Sequence, residues 1–209
     1  MERFIIKKNY FLTKKDTLGY FHQVYTGYKQ KDNPNFINVL KNTFNSENIT
    51  NLINARDMVI RILMQDIPCI IQENNLYKCV CICVPRAKVL NSYYDKQLYF
   101  KNAVSIAANK INGVIDGTNY IIRIKNTYTT HLSKASRDGI IENDGKEPYK
   151  GITIDTCSIE KSRIEAMDII LIDDIYTKNV NIDEDCIQAL FDNGARNVIY
   201  YSIGYTRRI

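Results

Sequence analysis

The stretch Asp168-Ile169-Ile170-Leu171-Ile172-Asp173-Asp174-Ile175-Tyr176-Thr177-Lys178-Asn179-Val180-Asn181 decides the fold. Four consecutive aliphatic residues, Ile169 to Ile172, leave no polar face for water, so the segment reads as a strand covered on both sides. Two adjacent acids end the strand and a short polar loop follows. Residues 182–191 then carry apolar side chains at helical spacing as far as Asn193-Gly194, a helix stop. At the carboxyl end of a strand, two carboxylates can accept hydrogen bonds from vicinal hydroxyls, while loop amides and the start of the next helix can hold a phosphate. A sugar phosphate satisfies both halves.

The same alternation recurs outward from this segment. Short runs rich in Ile and Val predict strands over residues 78–84, 120–124 and 198–203, and the phasing of Phe100, Ala103, Val104, Ala107 and Ala108 predicts a helix over 98–111. Strand, helix, strand in repetition predicts an α/β fold with a Rossmann-like parallel sheet, which binds ligands at the carboxyl ends of its strands. Residues 1–66 read as a mostly helical N-terminal extension, with the sheet domain in residues 67–209. In the extension, apolar residues recur at three and four through 36–44 and again through 52–64, with Asn33-Pro34 as a start signal and Asn45-Ser46 as a break. The aromatic cluster Tyr20, Phe21, Tyr25 and Tyr28 reads as core, with base stacking as the alternative.

Composition narrows the function classes. The 209 residues, 45% hydrophobic and 24% charged, suit one globular domain with an extension and disfavour disorder or a disulfide scaffold. No apolar run reaches the roughly 18 residues that span a bilayer, and the first residues lack a signal-peptide pattern, so a cytoplasmic protein without a membrane partner is expected. Six cysteines form no CxxC pair; Cys79, Cys81 and Cys83 alternate along one strand face and read as reduced core thiols rather than zinc ligands. The net charge of +5 mildly favours anionic ligands. Neither GxxxxGK[ST] nor a GxGxxG after a strand is present, which sets aside the two common nucleotide-binding fingerprints.

The acid-pair segment resembles the type I phosphoribosyltransferase family, whose hallmark is four apolar residues, two acids, an apolar pair and then Thr-Thr-Gly-x-Thr or a close variant. Asp173 and Asp174 match the acids that meet the ribose hydroxyls of PRPP, and Ile175, Tyr176 and Thr177 match in turn. Thr177, Lys178, Asn179, Val180 and Asn181 occupy the family's phosphate loop. Residues 189–198 look like the following helix, Gly-Ala turn and strand. The competence-associated (ComF-like) branch is the most similar, since a Tyr often stands there at the place of Tyr176. Pro85, Arg86, Ala87 and Lys88 sit where the family has its pyrophosphate loop, with Arg86 and Lys88 as cationic donors. Residues 123–137 resemble the branch's flexible loop, which closes over the diphosphate, with Arg123, Thr127, His131, Lys134 and Arg137 at its polar positions.

The resemblance implies transfer of ribose 5-phosphate from PRPP to an acceptor with release of pyrophosphate. Mg²⁺ is expected to enter with PRPP, with Asp173 or Asp174 as the protein group it could touch. The altered phosphate loop favours the alternative, a catalytically inactive sensor of the same fold or a component of a DNA-processing or defence assembly. Lys178, Asn179 and Asn181 replace Thr, Gly and Thr, although Asn tolerates left-handed backbone and Asn181 suits a helix cap. Asp183, Glu184 and Asp185 fill the first helical turn and repel a phosphate there by about 0.3–1 kcal/mol each when exposed. Thr177 stands where purine-salvage members often have an acidic general base, which disfavours the hypoxanthine-guanine type. Expected partners are PRPP or another sugar phosphate, with a protein partner or an oligomer left open and nucleic acid as a minor third reading.

Overall fold

The computed structural model describes residues 1–27, 30–127, 151–178 and 180–207. Eight strands and five α-helices follow in the order β1 (Glu2–Ile6), β2 (Thr17–Tyr25), α1 (Asn35–Lys41), α2 (Ile49–Glu73), β3 (Cys79–Cys83), α3 (Tyr99–Lys110), β4 (Val114–Asp116), β5 (Ile121–Arg123), β6 (Cys157–Ile159), α4 (Lys161–Ile164), β7 (Asp168–Tyr176), α5 (Ile182–Asp192) and β8 (Asn197–Thr206) among these residues. Six strands form one sheet in the order β1-β2-β8-β7-β3-β4. Every neighbour pair in it is parallel except β1 with β2. The fold is therefore α/β, as the alternation of strand and helix patterns predicts.

Burial explains why β7 is an unbroken aliphatic run. Ile170 and Ile172 meet α1, α2 and α3 in one layer, beside Cys79, Cys81 and Cys83 of β3 and Ile199, Tyr201 and Ile203 of β8. Ile169 and Leu171 meet α5 in the other layer, with Val80, Ile82, Val198 and Tyr200. The three β3 thiols share a face as expected, and burial pushes each up, Cys79 to about 11. Cys157 and Cys186 are buried as well, whereas Cys69 lies exposed on α2.

The N-terminal part differs from its sequence reading. It contributes two strands as well as two helices, and the expected seam between residues 66 and 67 falls inside α2. The cause is long-range pairing: β2 lies parallel to β8, with Tyr20 opposite Tyr201 and Val24 opposite Tyr205. Tyr20 and Phe21 are core, buried to 2% and 3% exposure. The run over 120–124 is also a strand, but β5 pairs antiparallel with β6 in a separate two-stranded sheet.

Gly117, just after β4, shows how closely these layers approach. A methyl group there would collide with Val80 and press on Ile82 and Tyr120. Gly117→Ala is expected to destabilise the protein by about 1–3 kcal/mol through overpacking, measured as a shift in the urea midpoint at unchanged slope.

Candidate functional site

The order of the sheet reverses between β3 and β7. From β3 the chain moves outward to β4, then returns to β7 and continues to β8 on the other side. Strands diverge to opposite helical layers at such a point, and a crevice opens beyond their carboxyl ends. Here a cavity of about 250 Å³ occupies that position, lined among others by Val84, Pro85, Arg86, Ala87 and Lys88 after β3, and by Asp173 and Asp174 near the end of β7. Ile170, Ile172 and Ile175 all face the α1–α3 layer, so the alternation of β7 slips by one residue at the acid pair. That slip leaves both acids only partly buried in an otherwise buried strand.

The electrostatics of the acid pair are uneven. Burial first, and then the neighbouring Asp174 carboxylate, push Asp173 up to about 7. Asp183, in the first turn of α5, is raised well above the usual carboxylate range by burial, Asp173 and Glu184. Asp183 and Glu184 are only 4% and 3% exposed. Glu184 accepts a hydrogen bond from the Tyr176 hydroxyl at 2.8 Å. Glu184 Oε2 and Ser202 Oγ are buried without a partner among the described residues, and the Tyr200 hydroxyl lies beside the Asp183 carboxyl. Carboxyl groups thus crowd the start of α5, where an anion would otherwise find the positive end of the helix.

Sequence-predicted residues divide into three groups. Asp173, Asp174, Pro85, Arg86, Ala87, Lys88 and Arg123 are brought together around the cavity. Thr177, Lys178, Val180, Asn181 and Thr127 are not among its lining residues. Asn179, His131, Lys134 and Arg137 lie outside the described residues.

Several expected roles need correction. The Arg86 guanidinium donates to the carbonyls of Gln97 and Lys41 and faces the Tyr93 ring at 4.5 Å. Its charge borders the cavity, but its donors tie α1 to the loop after β3. Arg123 does not open a flexible loop: it sits in β5 at 4% exposure and donates to the carbonyls of Arg86 and Gly151. Thr127 is equally anchored, its amide and hydroxyl both donating to Ala87 O. The Thr177 hydroxyl is engaged with that of Thr206 at 2.9 Å. Asn181 takes the left-handed conformation at φ 65° but does not cap α5 with its side chain, which accepts from Asn9 Nδ2 instead.

Two residues at the site carry no signal in the local sequence. Lys41 at the end of α1 lies 3.9 Å from the Asp174 carboxylate and reaches over the Tyr25 ring. Lys101 on α3 donates to Asn119 Oδ1 at 2.7 Å, and burial lowers its pKa. Only the packing of α1 and α3 against the same sheet face brings them to the cavity.

Among the described residues, no group of three or more His, Cys, Asp or Glu side chains is placed to hold a metal ion. No described helix is long and apolar enough to cross a membrane. The site joins paired hydroxyl acceptors, cations and a loop after a strand, an arrangement suited to a polyhydroxylated anion. A scan against protein-family models found no match for this chain, and a search of curated proteins found no match either.

Proposed function

We propose that the cavity binds PRPP as its magnesium complex and that the protein is a phosphoribosyltransferase of the type I fold, transferring ribose 5-phosphate to an acceptor. One observation carries this reading: Asp173 and Asp174 share a cavity with residues 85–88 at the point where the sheet order reverses. The carboxylates would accept from the ribose hydroxyls. The loop after β3 would take the diphosphate, with Lys88, and with Lys41 across the cavity, as counter-charges.

In the reaction, the acceptor's nucleophilic atom bonds to C1 of the ribose as the C1–oxygen bond breaks. Pyrophosphate leaves with the electron pair, and the acceptor releases a proton to solvent. Positive charge grows on the ribose and negative charge on the leaving group. Carboxylates below the one and cations beside the other would lower the barrier electrostatically. Mg²⁺ belongs to the substrate complex in this scheme.

A second reading has its own observation. The carboxyl groups of Asp183, Glu184 and Asp185 at the start of α5 oppose a phosphate in that place. They favour a non-catalytic module of the same fold that senses PRPP or a nucleotide, or works within a larger assembly.

Thermal unfolding with Mg–PRPP, beside ribose 5-phosphate, pyrophosphate and nucleotides, separates the two. A ligand at about 100 times its Kd stabilises by about 2.7 kcal/mol. The transferase reading expects the largest shift with Mg–PRPP and pyrophosphate release once an acceptor is supplied. A PRPP shift without pyrophosphate release for any acceptor, or a shift with nucleotides or ribose 5-phosphate but none with PRPP, would replace it with the sensor reading.

A further inference from the structure

The cations around the cavity are not equivalent. Lys41, Arg86, Lys88, Lys101 and Arg123 line it. Both arginines are fastened to backbone carbonyls, Arg86 to those of Gln97 and Lys41, and Arg123 to those of Arg86 and Gly151. Their donors hold the walls together. Lys41 shares its charge with the Asp174 carboxylate at 3.9 Å. Lys88 keeps the role proposed for it above.

Lys101, in the first turn of α3, is placed differently. Its ammonium donates to the neutral Asn119 Oδ1 at 2.7 Å and pairs with no carboxylate among the described residues. An ammonium carries three N–H donors, so two are left for another acceptor. Burial lowers the pKa of this lysine, and Cys83 and Asp116 raise it by less. The Asp116 oxygens are already taken, since they accept from the Ser105 hydroxyl, the Asn109 side-chain amide and the Thr118 backbone amide. A half-buried cation that bonds only a neutral group has given up water without gaining a counter-charge. An anion entering the cavity supplies that charge. The loop after β7 is a poorer place for one: Thr177, Lys178, Val180 and Asn181 are not among the cavity's lining residues, and Asp183, Glu184 and Asp185 follow them in α5.

We infer that Lys101 receives a phosphate of the bound ligand, so that the cavity holds this group against α3. The inference rests on the reading that the cavity takes a phosphorylated sugar. A phosphate oxygen accepts from the two remaining N–H groups, and bonds between two charged partners are about twice as strong as neutral ones.

Isothermal titration of the full chain with ribose, ribose 5-phosphate, pyrophosphate and Mg–PRPP tests the assignment on wild type, Lys101→Met and Lys110→Met. Lys110 is exposed in the last turn of the same helix, so its variant loses the same charge outside the cavity. At least one phosphorylated probe is expected to bind wild type at least about tenfold more tightly than ribose. Lys101→Met is expected to weaken that probe by at least about tenfold, and Lys110→Met by less than about twofold. Lys101→Gln, which keeps a polar head without the charge, is expected to lose as much, with urea midpoints of both Lys101 variants close to wild type. Affinity that survives in the Lys101 variants overturns the inference, as does a loss caused by Lys178→Met in their place. Ribose 5-phosphate or pyrophosphate held through Lys101 in a chain that ignores Mg–PRPP would sustain the role of Lys101 and remove the transferase reading. Mg–PRPP binding that is indifferent to Lys101 would do the reverse. Failure of every phosphorylated probe to bind would overturn both.

Discussion

Asp173→Asn is expected to stabilise the protein at pH 8 and at the same time to abolish binding of Mg–PRPP. In the folded chain burial and Asp174 hold the Asp173 proton up to about 7, whereas an unfolded aspartate releases it near the ordinary value of 3.8. Between those values the native state binds more protons than the unfolded state, so stability falls as pH rises through that window. Above it, a charged carboxylate sits in a place that disfavours charge. The isosteric amide removes that cost. We expect a gain of about 1–3 kcal/mol at pH 8 that shrinks towards zero below about pH 4, read from urea midpoints of wild type and variant at several pH values.

On the proposed reading the same substitution removes an anionic acceptor from the ribose position, so a PRPP-induced shift is expected to be lost. Gain of stability with loss of ligand distinguishes an acid kept for binding from one kept for structure. Asp174→Asn serves as the comparison. It faces Lys41 at 3.9 Å in a partly exposed pair, so its loss costs less than about 1 kcal/mol, and at pH 8 relief of its repulsion of the Asp173 carboxylate offsets part of that cost. A variant at Asp173 that is less stable at pH 8, or that still responds to PRPP, would remove the acid from the proposed site.

What the sequence disclosed follows from how each feature is encoded. Strands β3, β7 and β8 announce themselves because a strand covered on both faces must be apolar at every position. The acid pair is equally legible, since charge at the end of such a run has no structural use. β2 was hidden because Thr17 to Tyr25 mixes Gly, His and Gln with aromatics, and its partner β8 comes from the far end of the chain. Strand β4, three residues long, gives too little pattern to read. Cations misled in the opposite sense. Arg86 and Arg123 resemble ligand contacts in the sequence because charge is visible there, while the carbonyls that accept from them are not. Lys41 was hidden for the same reason: nothing around it in α1 marks the distant carboxylate it meets.

Away from the cavity, Asp66→Ala is expected to cost more stability than Gly117→Ala or either change to the acid pair, about 2–4 kcal/mol. Asp66 sits on α2 at 2% exposure, facing the sheet. Its Oδ2 accepts from the Tyr201 hydroxyl of β8 at 2.7 Å and lies 2.8 Å from His22 Nδ1 of β2. Burial on its own raises this carboxyl, but hydrogen bonds from His22 and Tyr201 outweigh it and hold the group below the ordinary range. The folded value is therefore depressed, so the contribution is complete above the ordinary value of 3.8 and disappears as pH falls through the folded one. Alanine would leave the Tyr201 hydroxyl orphaned at 0% exposure and open a gap between α2 and the sheet. Adding Tyr201→Phe to Asp66→Ala removes the orphan and should recover about 1 kcal/mol or more, so the two losses are not additive. Urea unfolding of both single variants and the double variant at pH 7 closes this cycle. A double variant as weak as the sum of the singles would mean that the hydroxyl and the carboxylate do not depend on each other, and that α2 is held to the sheet by its apolar face alone.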